Sequence, residues 1–162
     1  MLRAVNVGGT GKLPMTGLRA MCEECGFKDV RTYIASGNVV FKADLDEAAV
    51  QAKLEAALQG YAGKPVGVVV RTGAEMAAVL AANPFAAAAP NRTVAIFLSA
   101  APPVDLLDKV TGQVREEIVA GLREIYVHYP DGQADTKLKI SAASSGTARN
   151  MNTVAKLAEL AA

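Results

Sequence analysis

Residues 26–41 read GFKDVRTYIASGNVVF, and this stretch decides the fold of the first half of the chain. Two runs rich in β-branched and aromatic residues, Val30–Ile34 and Val39–Phe41, flank the tripeptide Ser36-Gly37-Asn38. Such runs favour strands, and Gly beside Asn between two strands favours a tight turn. The stretch therefore predicts a β-hairpin.

A helix is predicted on each side of this hairpin. Pro14 suits the first turn of a helix, and Gly26 suits the position just after its end. After the hairpin, Asp44 or Asp46 can cap a second helix, which runs to about Gln59. Both segments have apolar residues at helical spacing, so each helix is expected to bury one face.

Apolar runs at Leu2–Val7 and Val66–Arg71 predict two further strands at the ends of this region. The resulting order is strand, helix, strand, strand, helix, strand, which is the order of a ferredoxin-like α/β-plait. Residues 1–72 are therefore expected to form one α/β-plait subdomain.

Residues 73–162 are expected to form a second α+β subdomain that ends in a helix from about Arg149 to Leu160. The pattern also indicates a helix at Ala74–Leu80, a buried strand at Thr93–Ser99 and a hairpin around Gly121. We interpret this half as a second, imperfect plait. The predicted fold class is thus α+β, with two ferredoxin-like α/β-plait subdomains.

The composition excludes several classes of protein. Of the 162 residues, 51% are hydrophobic and 20% are charged, which excludes an intrinsically disordered chain. The sequence contains neither a long apolar run typical of a membrane span nor the pattern of a signal peptide. We expect a soluble, cytoplasmic protein without a membrane partner.

The charge is small overall but unevenly distributed. The net charge of +1 argues against a general polyanion binder. Residues 1–42 and 137–162 each sum to +3, whereas residues 114–136 sum to −3. If the fold brings the two ends together, they form a local cationic patch. Chance distribution of the charges is the alternative.

The segment Gly8-Gly9-Thr10-Gly11-Lys12 follows a predicted strand and precedes a predicted helix, where phosphate-binding loops occur. It does not match the Walker pattern, because Leu13 follows the lysine where Ser or Thr is required. Pro14 also replaces the third glycine of the dinucleotide pattern. The backbone N–H groups of this glycine-rich segment, together with Lys12, could still bind an anion. Alternatively, the glycines serve only to form a tight turn whose backbone angles require glycine.

The pair Cys22-Glu-Glu-Cys25 has the spacing of redox-active thiols, but its setting argues against that chemistry. The pair lies at the predicted C-terminus of a helix, beside two glutamates, and both features oppose the thiolate. One histidine and two cysteines are too few for a structural zinc site, so no metal site is predicted. His128 lies on a predicted strand, and its sequence neighbours offer no catalytic triad.

The C-terminal segment TARNMNTVAK, residues 147–156, is rich in hydrogen-bond donors. On a helix, Arg149, Thr153 and Lys156 have the spacing of one face, and Asn150 and Asn152 add amides near its start. This arrangement suits an anion, and a solvated helix face is the alternative.

Motifs spread along almost the whole chain resemble one bacterial family. They are Leu2-Arg3-x-x-Asn6-Val-Gly-Gly9, Lys12-x-Pro14-Met15, Leu18-Arg19, the stretch Gly26–Phe41, Val70-Arg71-Thr72, Asn83-Pro84-Phe85, Tyr126-x-His-Tyr-Pro130-Asp-Gly132, Lys137-Leu138 and residues 147–157. Their combination is similar to the domain of unknown function 1697 family. The resemblance implies two α/β-plait subdomains and no established activity, cofactor or catalytic residue.

The sequence departs from that family in three places. Members commonly have several residues before the Leu-Arg opening, so the first strand is expected to be shorter here. The stretch between Leu138 and Thr147 is also short, and Met151 stands where the family usually has Trp.

We interpret the chain as a binding protein with a local site for an anion, either phosphate, a nucleotide or a nucleic-acid phosphate. An enzyme that acts on a phosphorylated small molecule and a protein-interaction module without a small ligand are the alternatives. The predicted site residues share hydrogen-bond donors or an accessible backbone, and they are Asn6, Gly8, Gly9, Lys12, Ser36, Gly37, Asn38, Arg149, Asn150, Thr153 and Lys156. No catalytic residue and no cofactor is predicted.

Overall fold

The computed structural model describes residues 1–3 and 12–162, and these divide into two compact units, Met1–Thr72 and Gly73–Leu160. Within the described residues, four α-helices accompany antiparallel strands, so the fold is α+β. No helix in this part of the chain is both long and apolar enough to cross a membrane.

The first unit contains helix α1 (Met15–Glu24), strands β1 (Lys28–Tyr33) and β2 (Asn38–Lys42), and helix α2 (Glu47–Ala62). β1 and β2 pair antiparallel, which confirms the predicted hairpin. The carboxylate of Asp46 accepts a 2.8 Å hydrogen bond from the backbone N–H of Ala49, so it caps α2 as predicted.

The first residues of the chain contact two segments of this unit. The backbone N–H of Leu2 donates to the carbonyl of Gly37, and that of Arg3 donates to the carbonyl of Gly67, both at 2.8 Å. Leu2 also forms an isolated antiparallel bridge with Val68, the one place where the predicted strand Val66–Arg71 pairs in the described residues. The remainder of the predicted strand Leu2–Val7, residues 4–7, lies outside the described residues.

The core of the first unit lies between its helices and its strands. α1 contributes Leu18, Met21 and Cys22, and α2 contributes Val50, Leu54 and Leu58. The i, i+4, i+8 spacing of the α2 residues places them on one helix face, as the sequence predicts. The ring of Phe27 stacks on that of Phe41 with centroids 4.2 Å apart, which ties the hairpin together beside this core.

The second unit is built on a four-stranded antiparallel sheet whose strands lie side by side in the order Glu117–Ala120, Glu124–His128, Thr93–Phe97 and Thr147–Asn150. Helix α3 (Gly73–Ala81) precedes the sheet and helix α4 (Met151–Leu160) follows it. The strands are β3 (Thr93–Phe97), β5 (Glu117–Ala120), β6 (Glu124–His128) and β8 (Thr147–Asn150), and β4 (Val110–Thr111) pairs separately with β7 (Lys139–Ile140).

The two faces of this sheet pack differently. Val94 and Ile96 of β3 and Val127 of β6 lie on one face, in a core cluster that includes Leu106. On the opposite face, the hydroxyl of Tyr126 donates a 2.7 Å hydrogen bond to the carbonyl of Val79 in α3. All five residues of β3 are buried, because both faces of this central strand are covered.

The ferredoxin-like description of the two units remains a prediction. In the second unit, α3 and α4 lie before and after the sheet strands rather than between them. The described connections include short 3₁₀ turns at Leu106–Lys109 and Ser141–Ser145. In the first unit, the segment predicted as the first strand is described only up to Arg3.

Candidate functional site

Three of the predicted anion donors, Asn6, Gly8 and Gly9, lie outside the described residues. The described end of this segment is Lys12, whose side chain is exposed. Among the described residues, Lys12 has no hydrogen-bond or ion-pair partner. Two other exposed cations of this unit do have partners: Arg19 pairs with Glu23 at 3.0 Å and Lys42 with Asp29 at 3.1 Å.

The helix that follows Lys12 begins without a side-chain cap. Pro14 occupies the capping position in an extended conformation and, lacking a polar side chain, forms no capping hydrogen bond. The first turn of α1, described throughout, contains no acidic residue. The first backbone N–H groups of a helix have no partner within it, and they carry the positive end of its dipole. Lys12 therefore adds a cation close to an electropositive helix end.

The turn between β1 and β2 contains three more of the predicted site residues, Ser36, Gly37 and Asn38. Asn38 is fully buried, and its Nδ2 donates to the carbonyl of Tyr33 and to Oγ of Ser36, each at 3.0 Å. Both Nδ2 hydrogens are thus used within the turn. Asn38 holds the turn closed, and its assignment as an anion donor stays a prediction.

The backbone of this turn is in an unusual conformation. Gly37 has a φ of +89°, which glycine adopts without strain, and Ile34 has a φ of +50°, which a β-branched residue rarely adopts. The carbonyl of Gly37 accepts the hydrogen bond from Leu2. The burial of Asn38 and this contact together hold a conformation that Ile34 alone would disfavour.

The structure overturns one part of the predicted C-terminal site. Arg149 does not lie on a helix; it lies on β8, opposite Ala95 of β3. α4 begins only at Met151, because Thr147–Asn150 extends the four-stranded sheet. The helical face predicted for Arg149, Thr153 and Lys156 is therefore wrong.

Arg149 is buried, and its guanidinium group bonds to its own strand. Nη1 donates to Oγ1 of Thr147 at 2.7 Å and to the carbonyl of Ala148 at 2.8 Å. Burial lowers the pKa of Arg149 to about 10, so the group remains cationic at neutral pH.

The other predicted C-terminal donors have local structural partners. Oδ1 of Asn150 accepts a 3.0 Å hydrogen bond from the backbone N–H of Thr153, which caps the first turn of α4. The side chain of Thr153 is buried. Lys156 pairs with Glu159 at 3.1 Å. The assignment of Asn150, Thr153 and Lys156 to an anion site stays a prediction. The helical face shared with Arg149, which suggested that assignment, is not present.

The two thiols have the setting that the sequence indicates. Both are free cysteines; Cys22 is buried within α1 and Cys25 lies just after the end of this helix. Burial, and then the neighbouring Cys25, raise the pKa of the Cys22 thiol to about 12. A thiol in this state is protonated at neutral pH and is a poor nucleophile.

The structure adds a contact between His128 and Glu117 that sequence reasoning missed. Nδ1 of His128 lies 3.4 Å from Oε1 of Glu117, and the two residues are direct partners across β5 and β6. The ring of Phe85 lies beside the imidazole, with centroids 5.6 Å apart. A signal for the first contact is present in the sequence, because the hairpin predicted around Gly121 brings the segment that contains Glu117 beside the segment that contains His128.

The described residues contain no cluster of His, Cys, Asp and Glu that could hold a metal ion. A small open cleft of about 190 Å³ in the second unit is lined by Pro103, Leu106, Lys109, Ser141 and Ala142. Lys109 pairs with Asp105 at 2.9 Å, and the carboxylate of Asp105 offsets the attraction of this lysine for an anionic ligand.

Comparison with known proteins gives a family and a fold. The family model described as "Protein of unknown function (DUF1697)" matches residues 1–126. No curated protein matches the sequence significantly. A solved structure of a conserved bacterial protein from Streptococcus pneumoniae is similar, with a TM-score of 0.76 and 21% sequence identity over 100% of this chain and 96% of that one. At this identity, the similarity shows the fold alone.

Proposed function

The chain belongs to the family described as Protein of unknown function (DUF1697), and we propose, from the residues at the start of helix α1, that this member binds a phosphate-bearing anion. The family resemblance seen in the sequence motifs is thereby confirmed. The proposed site lies in the first unit, at the start of helix α1, with Lys12 as its cation.

A single observation supports this proposal most. The exposed Lys12, which has no partner among the described residues, lies two residues before the uncapped N-terminus of α1. Backbone N–H groups at a helix N-terminus and a nearby cation are both attracted to phosphate oxygens. The absence of an acidic residue from the described first turn removes the charge that would otherwise compete with a bound anion.

The same unit favours binding over catalysis. Enzymes shift the pKa values of their acids, bases or nucleophiles towards the pH at which they work. In the described part of this unit, burial raises the pKa of the Cys22 thiol to about 12, away from the reactive thiolate. A phosphate-binding role without chemistry is therefore the interpretation that these residues support best.

The proposal can be tested by calorimetric titration with inorganic phosphate and with a mononucleotide. A charge-assisted hydrogen bond contributes roughly 1.5–3 kcal/mol, so we expect Lys12→Ala to weaken binding about tenfold or more. Lys28→Ala is the matched control, because Lys28 is an exposed lysine of the same unit beyond the other end of α1. This control should bind as the original chain does.

A second variant separates binding from stability. Thr16→Glu places a carboxylate in the first turn of α1, where it should stabilise the ligand-free protein by about 0.3–1 kcal/mol through the helix dipole. The same carboxylate should abolish phosphate binding. Equal binding by Lys12→Ala, Thr16→Glu and the original chain would overturn the proposal.

A further inference from the structure

The two edges of the four-stranded sheet differ in their free hydrogen-bonding groups. At the β5 edge, the backbone N–H of Gly121 donates to the carbonyl of Glu124 at 2.8 Å, which fixes the alternation of the β5–β6 ladder. Because of this alternation, the main-chain N–H and carbonyl groups of Glu117 and Val119 bond to β6. The main-chain groups of Ile118 and Ala120 therefore point away from the sheet. In the part of the chain that the structure describes, these outward groups have no hydrogen-bond partner.

At the opposite edge, a side chain of the same strand occupies one of the outward main-chain groups. In β8, the alternation with β3 directs the carbonyl of Ala148 away from the sheet. Nη1 of Arg149 donates to that carbonyl at 2.8 Å, so it is already satisfied. Proteins commonly protect sheet edges in such ways, and an open edge is a template for a further strand.

The surface around β5 combines apolar and acidic groups. Val119 is 40% exposed, and Leu122 in the following turn is 83% exposed. Glu117 lies on the same face of the sheet as Val119, two residues before it, and its side chain is 64% exposed. Residues 114–136 sum to −3, so the edge lies in an acidic part of the chain.

We propose that the β5 edge binds an extended basic peptide segment as an additional antiparallel strand. Main-chain bonds would form at Ile118 and Ala120. An apolar residue of the peptide would contact Val119, and a Lys or Arg two positions later would contact Glu117. Both contacts fall at non-hydrogen-bonded positions, where opposite side chains lie closest.

Charge determines the choice of partner. A second copy of this chain would bring the same net charge of −3 over residues 114–136 to the pair, and this repulsion opposes association. A basic segment instead complements the edge. The carboxylate of Glu117, which bonds to His128 at the long distance of 3.4 Å, can also accept a bond from a cation on its other side.

The test uses the full ¹⁵N-labelled chain and a synthetic peptide, acetyl-Thr-Thr-Val-Thr-Lys-Thr-amide. We expect the amide signals of Ile118 and Ala120 to shift on titration. Ala120→Pro, which removes an outward N–H, should weaken binding about tenfold, and Ala120→Ser, which keeps it, should bind as the original chain does. A peptide with Glu in place of Lys should bind more weakly.

Glu117→Lys provides a measurement that does not depend on the proline variant folding. It should reverse the preference between the Lys and Glu peptides. Equal binding by Ala120→Pro and Ala120→Ser, an unchanged peptide preference in Glu117→Lys, or shifts confined to other residues would overturn the proposal. Shifts that depend on protein concentration in the absence of peptide would assign the edge to a second copy and would also overturn it.

Discussion

Several polar side chains in this protein complete the hydrogen bonding of the backbone beside them. Asn38 closes the β1–β2 turn, and Asp46 and Asn150 cap helices α2 and α4. The buried carboxylate of Glu124 accepts bonds from the backbone N–H groups of Leu122 and Arg123 in the β5–β6 turn. Buried polar groups require such partners, so these residues are explained by the fold without a ligand.

Glu116 leads to a prediction about acid stability. Its carboxylate accepts hydrogen bonds from the hydroxyl of Thr136 and the backbone N–H of Val114, and they lower its pKa from 4.5 to about 2. A lowered carboxylate pKa stabilises the fold above pH 4.5, and this contribution is lost as pH falls towards 2.

We therefore expect Thr136→Val to raise the pKa of Glu116 and to destabilise the protein more at pH 7 than near pH 2. Urea denaturation at several pH values measures this difference, and NMR titration measures the pKa of Glu116 directly. Thr111→Val, at an exposed threonine, is the control. A destabilisation that is independent of pH would show that the hydroxyl does not act through Glu116.

The capping and turn residues could be predicted, whereas the environment of Arg149 could not. Asp46 precedes an apolar helical pattern, and its bond to Ala49 is local in sequence. Gly37 and Asn38 likewise form a turn from adjacent residues. Arg149 is buried because β8 pairs with β3, more than fifty residues earlier in the chain. The sequence around Arg149 contains no information about the pairing of β8 with a strand so distant in the chain.

Strand β8 shows at the level of elements how tertiary pairing overrides local pattern. The apolar stripe of residues 151–160 predicts α4 correctly, but it does not determine where the helix begins. Pairing of Thr147–Asn150 with β3 stops the helix at Met151, and Asn150 then caps it. The hairpins and α1–α3 were predictable because each depends mainly on residues that are close together in the sequence.

Arg149 gives a prediction about how its hydrogen bonds along strand β8 contribute to the free energy of unfolding. Arg149→Met removes the donor to Thr147 and Ala148 while it keeps a long apolar side chain. We expect a loss of about 1–3 kcal/mol in the free energy of unfolding, because hydrogen-bonding groups of β8 are left without a donor. Chemical denaturation measures the loss.

The control for this prediction is Lys156→Met. Lys156 forms an exposed ion pair with Glu159, and such pairs contribute about 0–1 kcal/mol. We expect Lys156→Met to change the free energy of unfolding by less than Arg149→Met does. An equal change in the two variants would mean that the bonds of Arg149 along β8 do not stabilise the edge.

At the scale of the whole molecule, the motifs spread along the chain are sufficient to indicate the family. The α+β class also follows from the order of elements. The finer ferredoxin-like arrangement remains a prediction, because the described part of the first strand ends at Arg3 and because the helices of the second unit lie outside its run of strands. The proposed anion site depends on Lys12, which the sequence indicates, and on the uncapped start of α1, which only the folded chain reveals.

The overall charge predicts how salt affects the proposed anion site. With a net charge of +1, the molecule as a whole attracts polyanions only weakly, so Lys12 should supply most of the attraction at the proposed site. A single cation–phosphate contact gives a slope of about −0.7 for log affinity against log salt, or about a fivefold loss per tenfold rise in salt. We expect this slope for a short single-stranded oligonucleotide and one no steeper for a mononucleotide, which releases fewer bound counterions. Calorimetry over a range of NaCl concentrations measures both slopes, with Lys12→Ala as the control. A slope several times steeper for the oligonucleotide would instead indicate a nucleic-acid interface of several cations, and the proposal of a local site would then be wrong.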